Sequence, residues 1–306
     1  MRIITKLNEI GFCYGVKRAI KIAKETIENP NTNKPVYLLG NLVHNHHINE
    51  YLSSLGIIIL DKGTRLEMLD KIVSGTVIFT AHGVSDKVFE KTLNKKLNIV
   101  DATCPYVEET FKQMKQKADE GYDILFVGKS NHPESEAALS LSNKVHLVTK
   151  DFKPIVLSKP LLCHQTTMSS YDIEETAKKL KEFYPSLTKM NMICKVTEKR
   201  QLSILSLKNH TFSNSSLIII IGDKTSNNST KLFEMAKRLN KTDVLFIDNI
   251  SELDFLELKK YNEIIIGSGT STPEVITNEL YELLLNLDNI KENKIVSKLN
   301  LKDYTI

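Results

Sequence analysis

Six stretches of this chain are apolar at nearly every position, not at every second or every third. They are Val36-Tyr37-Leu38-Leu39, Thr76-Val77-Ile78-Phe79, Ile124-Leu125-Phe126-Val127, Pro160-Leu161-Leu162-Cys163, Leu217-Ile218-Ile219-Ile220-Ile221 and Ile264-Ile265-Ile266. Short continuous runs of this kind predict strands buried on both faces, the mark of a parallel sheet. Four of them run into a glycine, at positions 40, 128, 222 and 267, and all six run into a polar loop. Helical periodicity fills the gaps, from Val16 to Glu28, from Tyr106 to Gly121 behind Pro105, and from Thr197 to Lys208. Strand and helix in alternation predict α/β units with right-handed crossovers. Ligand groups in open parallel sheets gather beyond the carboxyl ends of the strands, so the six polar loops are the place to look for a site.

The pattern repeats three times, and cysteine marks each repeat. Cys13, Cys104 and Cys194 stand about 90 residues apart, and each directly precedes a predicted helix. They divide the chain into a first domain of 13–103, a second of 104–193, a third made of 1–12 with 194–285, and a tail of 286–306. A thiol at a helix amino terminus is favoured as thiolate, the form that ligates iron–sulfur clusters. Three thiolates from three units can meet on one axis, and a cuboidal cluster held by three cysteines keeps one iron open to substrate. A lone cysteine is better read as a small core residue, and that reading is kept for Cys163, which lies inside an apolar run without a counterpart in the other repeats. Structural zinc usually takes four ligands in close pairs, and the chain has no such pair.

Composition narrows the class. The 306 residues are 41% hydrophobic and 25% charged, with a net charge of +4, as in an ordinary globular protein. Lysines are scattered among glutamates and asparagines without interleaved aromatics, so an anionic small molecule is a better partner than nucleic acid. The first ten residues do not read as a secretory signal. The strongest apolar run, Leu217 to Ile221, is far short of the roughly 20 residues that span a bilayer. Four cysteines in a chain of this length predict metal binding or catalysis in a reducing cytoplasm, not a disulfide framework.

The loops supply the remaining chemistry. His44, His82 and His132 each follow a predicted strand, and Thr166, Ser226, Asn228 and Ser271 lie in the other loops. Histidine, hydroxyl and amide donors suit the many acceptor oxygens of a diphosphate. Glu134 is the one carboxylate inside such a loop. Burial would raise its pKa and make it a proton donor. Glu274 also follows a proline but opens a long apolar helix, where capping explains it. His46 and His47 read as surface residues at a helix start, and His164 stays undecided. The segment from Leu42 to Asn49 has the look of a histidine metal box, yet one segment rarely supplies a whole site.

These motifs together resemble the 4-hydroxy-3-methylbut-2-enyl diphosphate reductases. The resemblance rests on Gly11-Phe12-Cys13-Tyr14-Gly15-Val16-Lys17-Arg18-Ala19-Ile20, Leu42-Val43-His44-Asn45, Ala81-His82-Gly83-Val84 and Asp101-Ala102-Thr103-Cys104-Pro105. It continues through His132-Pro133-Glu134, Gln165-Thr166-Thr167, Ile193-Cys194 with Thr197, Arg200 and Gln201, and Ser271-Thr272-Pro273-Glu274. It implies three pseudo-symmetric α/β domains in a cloverleaf around one central 4Fe–4S cluster ligated by Cys13, Cys104 and Cys194, with the fourth iron taking the substrate hydroxyl. It also implies that His44, His82, His132, Ser226, Asn228 and Ser271 hold the diphosphate of an allylic substrate, and that Thr166 and Glu134 serve the hydroxyl and its proton. The implied reaction is reductive dehydroxylation to isopentenyl and dimethylallyl diphosphate, the last step of the deoxyxylulose-phosphate route to isoprenoids. With no G-x-G-x-x-G fingerprint in the chain, a ferredoxin or flavodoxin would supply the electrons. One departure is Asn227, where the family pattern has serine; its amide still donates a hydrogen bond. Three other readings remain in view: a quinolinate synthase-like condensing enzyme, a cluster-based sensor without catalysis, and a zinc-held scaffold.

Overall fold

The computed structural model describes residues 2–190 and 194–304; Ile193 of the third cysteine motif lies outside the described residues. From the amino terminus the elements are β1 (Ile3–Lys6), α1 (Tyr14–Glu28), β2 (Val36–Leu39), α2 (His46–Ser54), β3 (Ile58–Leu60), α3 (Arg65–Asp70), β4 (Thr76–Phe79), α4 (Asp86–Asn94) and β5 (Asn98–Asp101). There follow α5 (Pro105–Asp119), β6 (Asp123–Val127), α6 (Pro133–Ser140), β7 (Val145–Val148), β8 (Pro160–His164), α7 (Ser170–Phe183) and β9 (Thr188–Lys189). The last stretch holds α8 (Lys195–Ser206), β10 (Ser216–Ile221), α9 (Asn227–Arg238), β11 (Asp243–Ile247), α10 (Phe255–Leu258), β12 (Glu263–Ser268) and α11 (Glu274–Leu285).

The strands form three four-stranded sheets, in the orders β3-β2-β4-β5, β7-β6-β8-β9 and β11-β10-β12-β1. Each ladder is parallel. The six apolar runs supply the two central strands of every sheet. All residues of β4, β8, β10 and β12 are buried, which is why these segments show no polar alternation. The outer strands left no such signal. β3, β5 and β9 have no buried residue, only exposed and half-buried ones, and β1 alternates exposed and half-buried positions.

By contact density the chain forms two compact units. One contains the described residues of 15–43 and 52–194 and carries the first two sheets. Its cores are built around Phe79 with Leu39, Leu69 and Val77, and around Phe126 with Met114, Ile124 and Cys163. The other contains the described residues of 1–14, 44–51 and 195–306 and carries the third sheet. There Ile218, Ile220, Leu232 and Met235 pack together. Each fully buried side chain of this size is worth about 1.5–3 kcal/mol.

The fourth strand of the third sheet comes from the far end of the sequence. Ile3 pairs with Glu263 and Lys6 with Ile266. The three sheets thus share one topology: in the first two the outermost strand is the last in sequence, and in the third that place is taken by the first strand of the chain. The polar tail packs back on its own unit. The Phe255 N–H donates to the Asn293 carbonyl at 2.8 Å, the Ser297 hydroxyl donates to Glu279 at 2.6 Å, and Tyr304 is buried. Among the described residues no helix is long and apolar enough to cross a membrane.

Two glycines let α9 approach the ends of the central strands. A Cβ added at Gly222 or Gly269 would lie 2.3 or 2.0 Å from the Ser229 hydroxyl oxygen, inside any tolerable contact. Gly269→Ala is therefore expected to destabilise the protein by about 1–3 kcal/mol through overpacking. Urea unfolding measures this directly, and an unchanged midpoint would show that α9 yields.

Candidate active site

The topology places each cysteine at the same step of the repeat. Cys13 lies between β1 and α1, Cys104 between β5 and α5, and Cys194 between β9 and α8. Each is thus on the way from the outermost strand of one sheet to the first helix of the next. None of the three is in a disulfide, and all are half-buried. Cys104 is the N-cap of α5, with Pro105 opening the helix, and its N–H donates to the Ala81 carbonyl at 3.0 Å. The Cys13 N–H donates to the Thr270 carbonyl at 3.0 Å. Cys163 is separate from this set. It is buried in β8, its Sγ lies 3.2 Å from the Met190 sulfur, and burial pushes its thiol up to about 12. That is a core cysteine, as expected from its apolar surroundings.

In the unit with two sheets, Glu134 stands in the first turn of α6 and is 1% exposed. Its carboxylate accepts the Thr166 N–H at 2.7 Å and the Thr166 hydroxyl at 2.9 Å. Burial dominates these hydrogen bonds and raises its pKa from 4.5 to about 7. The carboxyl is therefore poised to exchange a proton near neutrality. His132 is the N-cap of α6, accepting the Glu134 N–H on Nδ1 at 3.1 Å. The rings of His82 and His132 meet edge to face with centroids 5.3 Å apart, so loops of two different sheets converge here. Thr166 follows β8, placed by Gln165, whose N–H donates to the Val127 carbonyl at 2.8 Å. His164, left open by the sequence, ends β8 buried, with Nδ1 3.0 Å from the Gln165 carbonyl, and burial lowers its pKa.

In the other unit, Ser226 caps α9 and Asn227 and Asn228 form its first turn, all three buried. The Ser271 hydroxyl lies 3.3 Å from the Ser226 hydroxyl and donates to the His44 carbonyl at 3.1 Å. The Asn228 side-chain oxygen Oδ1 accepts the Thr270 N–H at 2.9 Å. Its Nδ2 is buried and has no hydrogen-bond partner. An orphaned amide donor at a helix amino terminus, beside two hydroxyls, is the arrangement expected of an anion site. Asn45 ties the same loops together, donating to the Ser271 carbonyl at 2.9 Å and accepting the Ile48 N–H at 3.2 Å.

Two buried arginines that the sequence reading gave no role turn out to shape these loops. Arg65 donates to the Gly83 carbonyl and, at 3.0 Å, to the Thr80 hydroxyl, fixing the His82 loop. Burial lowers its pKa to about 10, which leaves it charged at neutral pH. Arg200 in α8 donates to the carbonyls of Gly11, Ser268 and Gly269, binding the Cys13 loop to the loop after β12. An arginine reads as a surface residue in sequence, so only the fold reveals this use. His46 and His47 do open α2, but the surface assignment fails for His47, whose Nε2 is buried and whose ring stacks on Tyr304 at 4.2 Å.

A model of the LytB protein family matches residues 4–285. The chain belongs to the LytB protein family. Among curated LytB relatives, a 4-hydroxy-3-methylbut-2-enyl diphosphate reductase of Geobacillus thermodenitrificans (strain NG80-2) is 37% identical over 290 residues, 93% of this chain and 90% of that protein. The reductase of Bacillus pumilus (strain SAFR-032) is 38% identical over 290 residues, with 93% and 91% covered. A solved E-1-hydroxy-2-methyl-but-2-enyl-4-diphosphate reductase from Plasmodium falciparum matches with a TM-score of 0.83 at 28% identity, covering 98% of this chain and 94% of that one. A second solved reductase, described as the terminal enzyme of the non-mevalonate pathway, matches at 0.62 and 28% identity, with 94% and 100% covered.

Glu134 makes stability depend on pH. With a pKa near 4.5 when unfolded and about 7 when folded, the folded LytB chain keeps a proton that the unfolded chain has lost. This contribution is complete below about pH 4.5 and is lost as pH rises through about 7. Glu134→Gln should accordingly be more stable than the parent at pH 8, by roughly 3 kcal/mol at about 1.4 kcal/mol per pH unit, and should match it near pH 4. Thermal melts across that range test it; a gap that does not vary with pH would remove Glu134 as the titrating group.

Proposed function

We propose that this chain is a 4-hydroxy-3-methylbut-2-enyl diphosphate reductase acting in the cytoplasm. In this reading it reductively removes the hydroxyl group of an allylic diphosphate to give isopentenyl and dimethylallyl diphosphate. The observation that carries the reading is the repeated step from outer strand through cysteine to helix. Three equivalent passages each present one half-buried cysteine outside any disulfide ahead of a helix amino terminus. That donor set fits a 4Fe–4S cluster held by Cys13, Cys104 and Cys194, in domains bounded near those cysteines. When bound, the cluster would supply electrons one at a time and a Lewis-acidic iron for the allylic C–O bond. A ferredoxin or flavodoxin would deliver the electrons.

The protein's own groups then divide the work. Ser226, Asn227, Asn228 and Ser271 would take the diphosphate at the start of α9, where the orphaned Asn228 amide and the helix dipole favour an anion. His44, His82 and His132 would donate to the remaining phosphate oxygens. Thr166 holds the Glu134 carboxyl by two hydrogen bonds and would orient it and the substrate hydroxyl together. Glu134, whose pKa burial raises to about 7, would hand its proton to the departing oxygen. The overall change breaks one allylic C–O bond, consumes two electrons and two protons, and releases water.

Anaerobic purification followed by iron and sulfide analysis tests the ligand set. Brown protein with about four irons per chain is expected, and colourless protein holding zinc would end the proposal. Glu134→Gln, cluster intact, should lose about 10²- to 10⁴-fold in turnover with little change in substrate affinity. Near-parent turnover of that variant, measured with a reduced viologen dye, would take the proton away from Glu134.

A further inference from the structure

We propose a second, independent metal site on this chain, formed by His46, His47 and Asp248, that takes zinc or a similar borderline divalent ion. The two histidines open α2, and Asp248 directly follows β11. One ligand atom from each lies within 4.8 Å of the other two. His46 Nδ1 is 3.2 Å from an Asp248 carboxylate oxygen. Ligands bound at 2.0–2.1 Å in a tetrahedron stand about 3.3 Å apart, so this pair already has the spacing of two neighbours on one ion. Two imidazoles with one carboxylate are a familiar zinc donor set, with the fourth position left to water.

The surroundings support a cation here. The His47 Nε2 is buried without a hydrogen-bond partner, while its ring is fixed between His46, at 3.9 Å, and Tyr304, at 4.2 Å. Carboxylate oxygens of both Asp248 and Asp223 lie within 3.4 Å of His46 Nδ1, so acceptor charge already gathers at this point. Asp223 also accepts the His46 N–H at 3.0 Å, which fixes the start of α2, and it lies 3.4 Å from His46 Nδ1. The segment Leu42 to Asn49 could not complete a metal box by itself; the fold adds the missing carboxylate from Asp248, about 200 residues downstream. An ion placed here would anchor the first turn of α2, and through it Asn45, which holds the Ser271 loop.

The test uses anaerobically purified, cluster-loaded protein dialysed against buffered zinc chloride, with metal content measured by mass spectrometry. One zinc per chain beyond the cluster is expected, not displaced by excess magnesium, together with a higher melting temperature. Asp248→Asn and, separately, His46→Gln should each weaken zinc binding by at least about tenfold while melting cooperatively without zinc. Unchanged zinc binding in both variants overturns the proposal and leaves an ordinary histidine–aspartate ion pair. So does zinc whose binding is lost in Cys13→Ser but kept in Asp248→Asn, because that zinc belongs to the thiols.

Discussion

A four-stranded parallel sheet whose outermost strand hands the chain to the next sheet is the constraint from which the rest of this molecule follows. Parallel pairing requires a crossover between successive strands, and here the crossovers return on helices except from β7 to β8, where an irregular segment makes the return. The outermost strand has no further partner in its own sheet, so the chain must leave there. β5 leaves toward α5, β9 toward α8, and β1 toward α1. Each exit carries a cysteine just before a helix amino terminus. Three equivalent exits thus place three cysteines at equivalent steps of the repeat without any close pair of cysteines in the sequence.

The other loops follow the same geometry. Strand carboxyl ends gather the polar groups, and short backbone hydrogen bonds set their positions. The Glu134 carboxyl is the clearest product of this arrangement. A helix amino terminus would ordinarily keep a carboxylate ionised, but near-complete burial outweighs both the dipole and the two hydrogen bonds from Thr166. On α9 the balance runs the other way. The buried amide of Asn228 presents a donor that the fold itself does not use, at an end where negative charge is welcome.

The sequence made much of this visible because buried parallel strands cannot conceal themselves. β10 is apolar along its length because both of its faces are covered. The edge strands escaped notice for the complementary reason: β9 has two residues, both exposed, and nothing distinguishes it from a loop. Glu134 was legible because a lone carboxylate in a loop of donors is chemically conspicuous. Arg65 and Arg200 were not, since their partners are backbone carbonyls far away in sequence and their charge suggests a solvated face. His47 was misjudged as a surface residue because the ring that covers it belongs to Tyr304, in a tail whose composition gives no hint of docking.

The pairing of β1 with β12 has a consequence for how the protein is made. β1 finds its place only beside a strand 260 residues further along, as Ile3 against Glu263 shows. Sheets built from neighbouring segments can close early, whereas the β1 edge of this one must wait for β12, and such long-range closure is slow. Cys13 follows that late-docking strand directly. The growing chain would therefore hold the Cys13 thiol unplaced until β12 has been made, so the surroundings of that thiol are completed late.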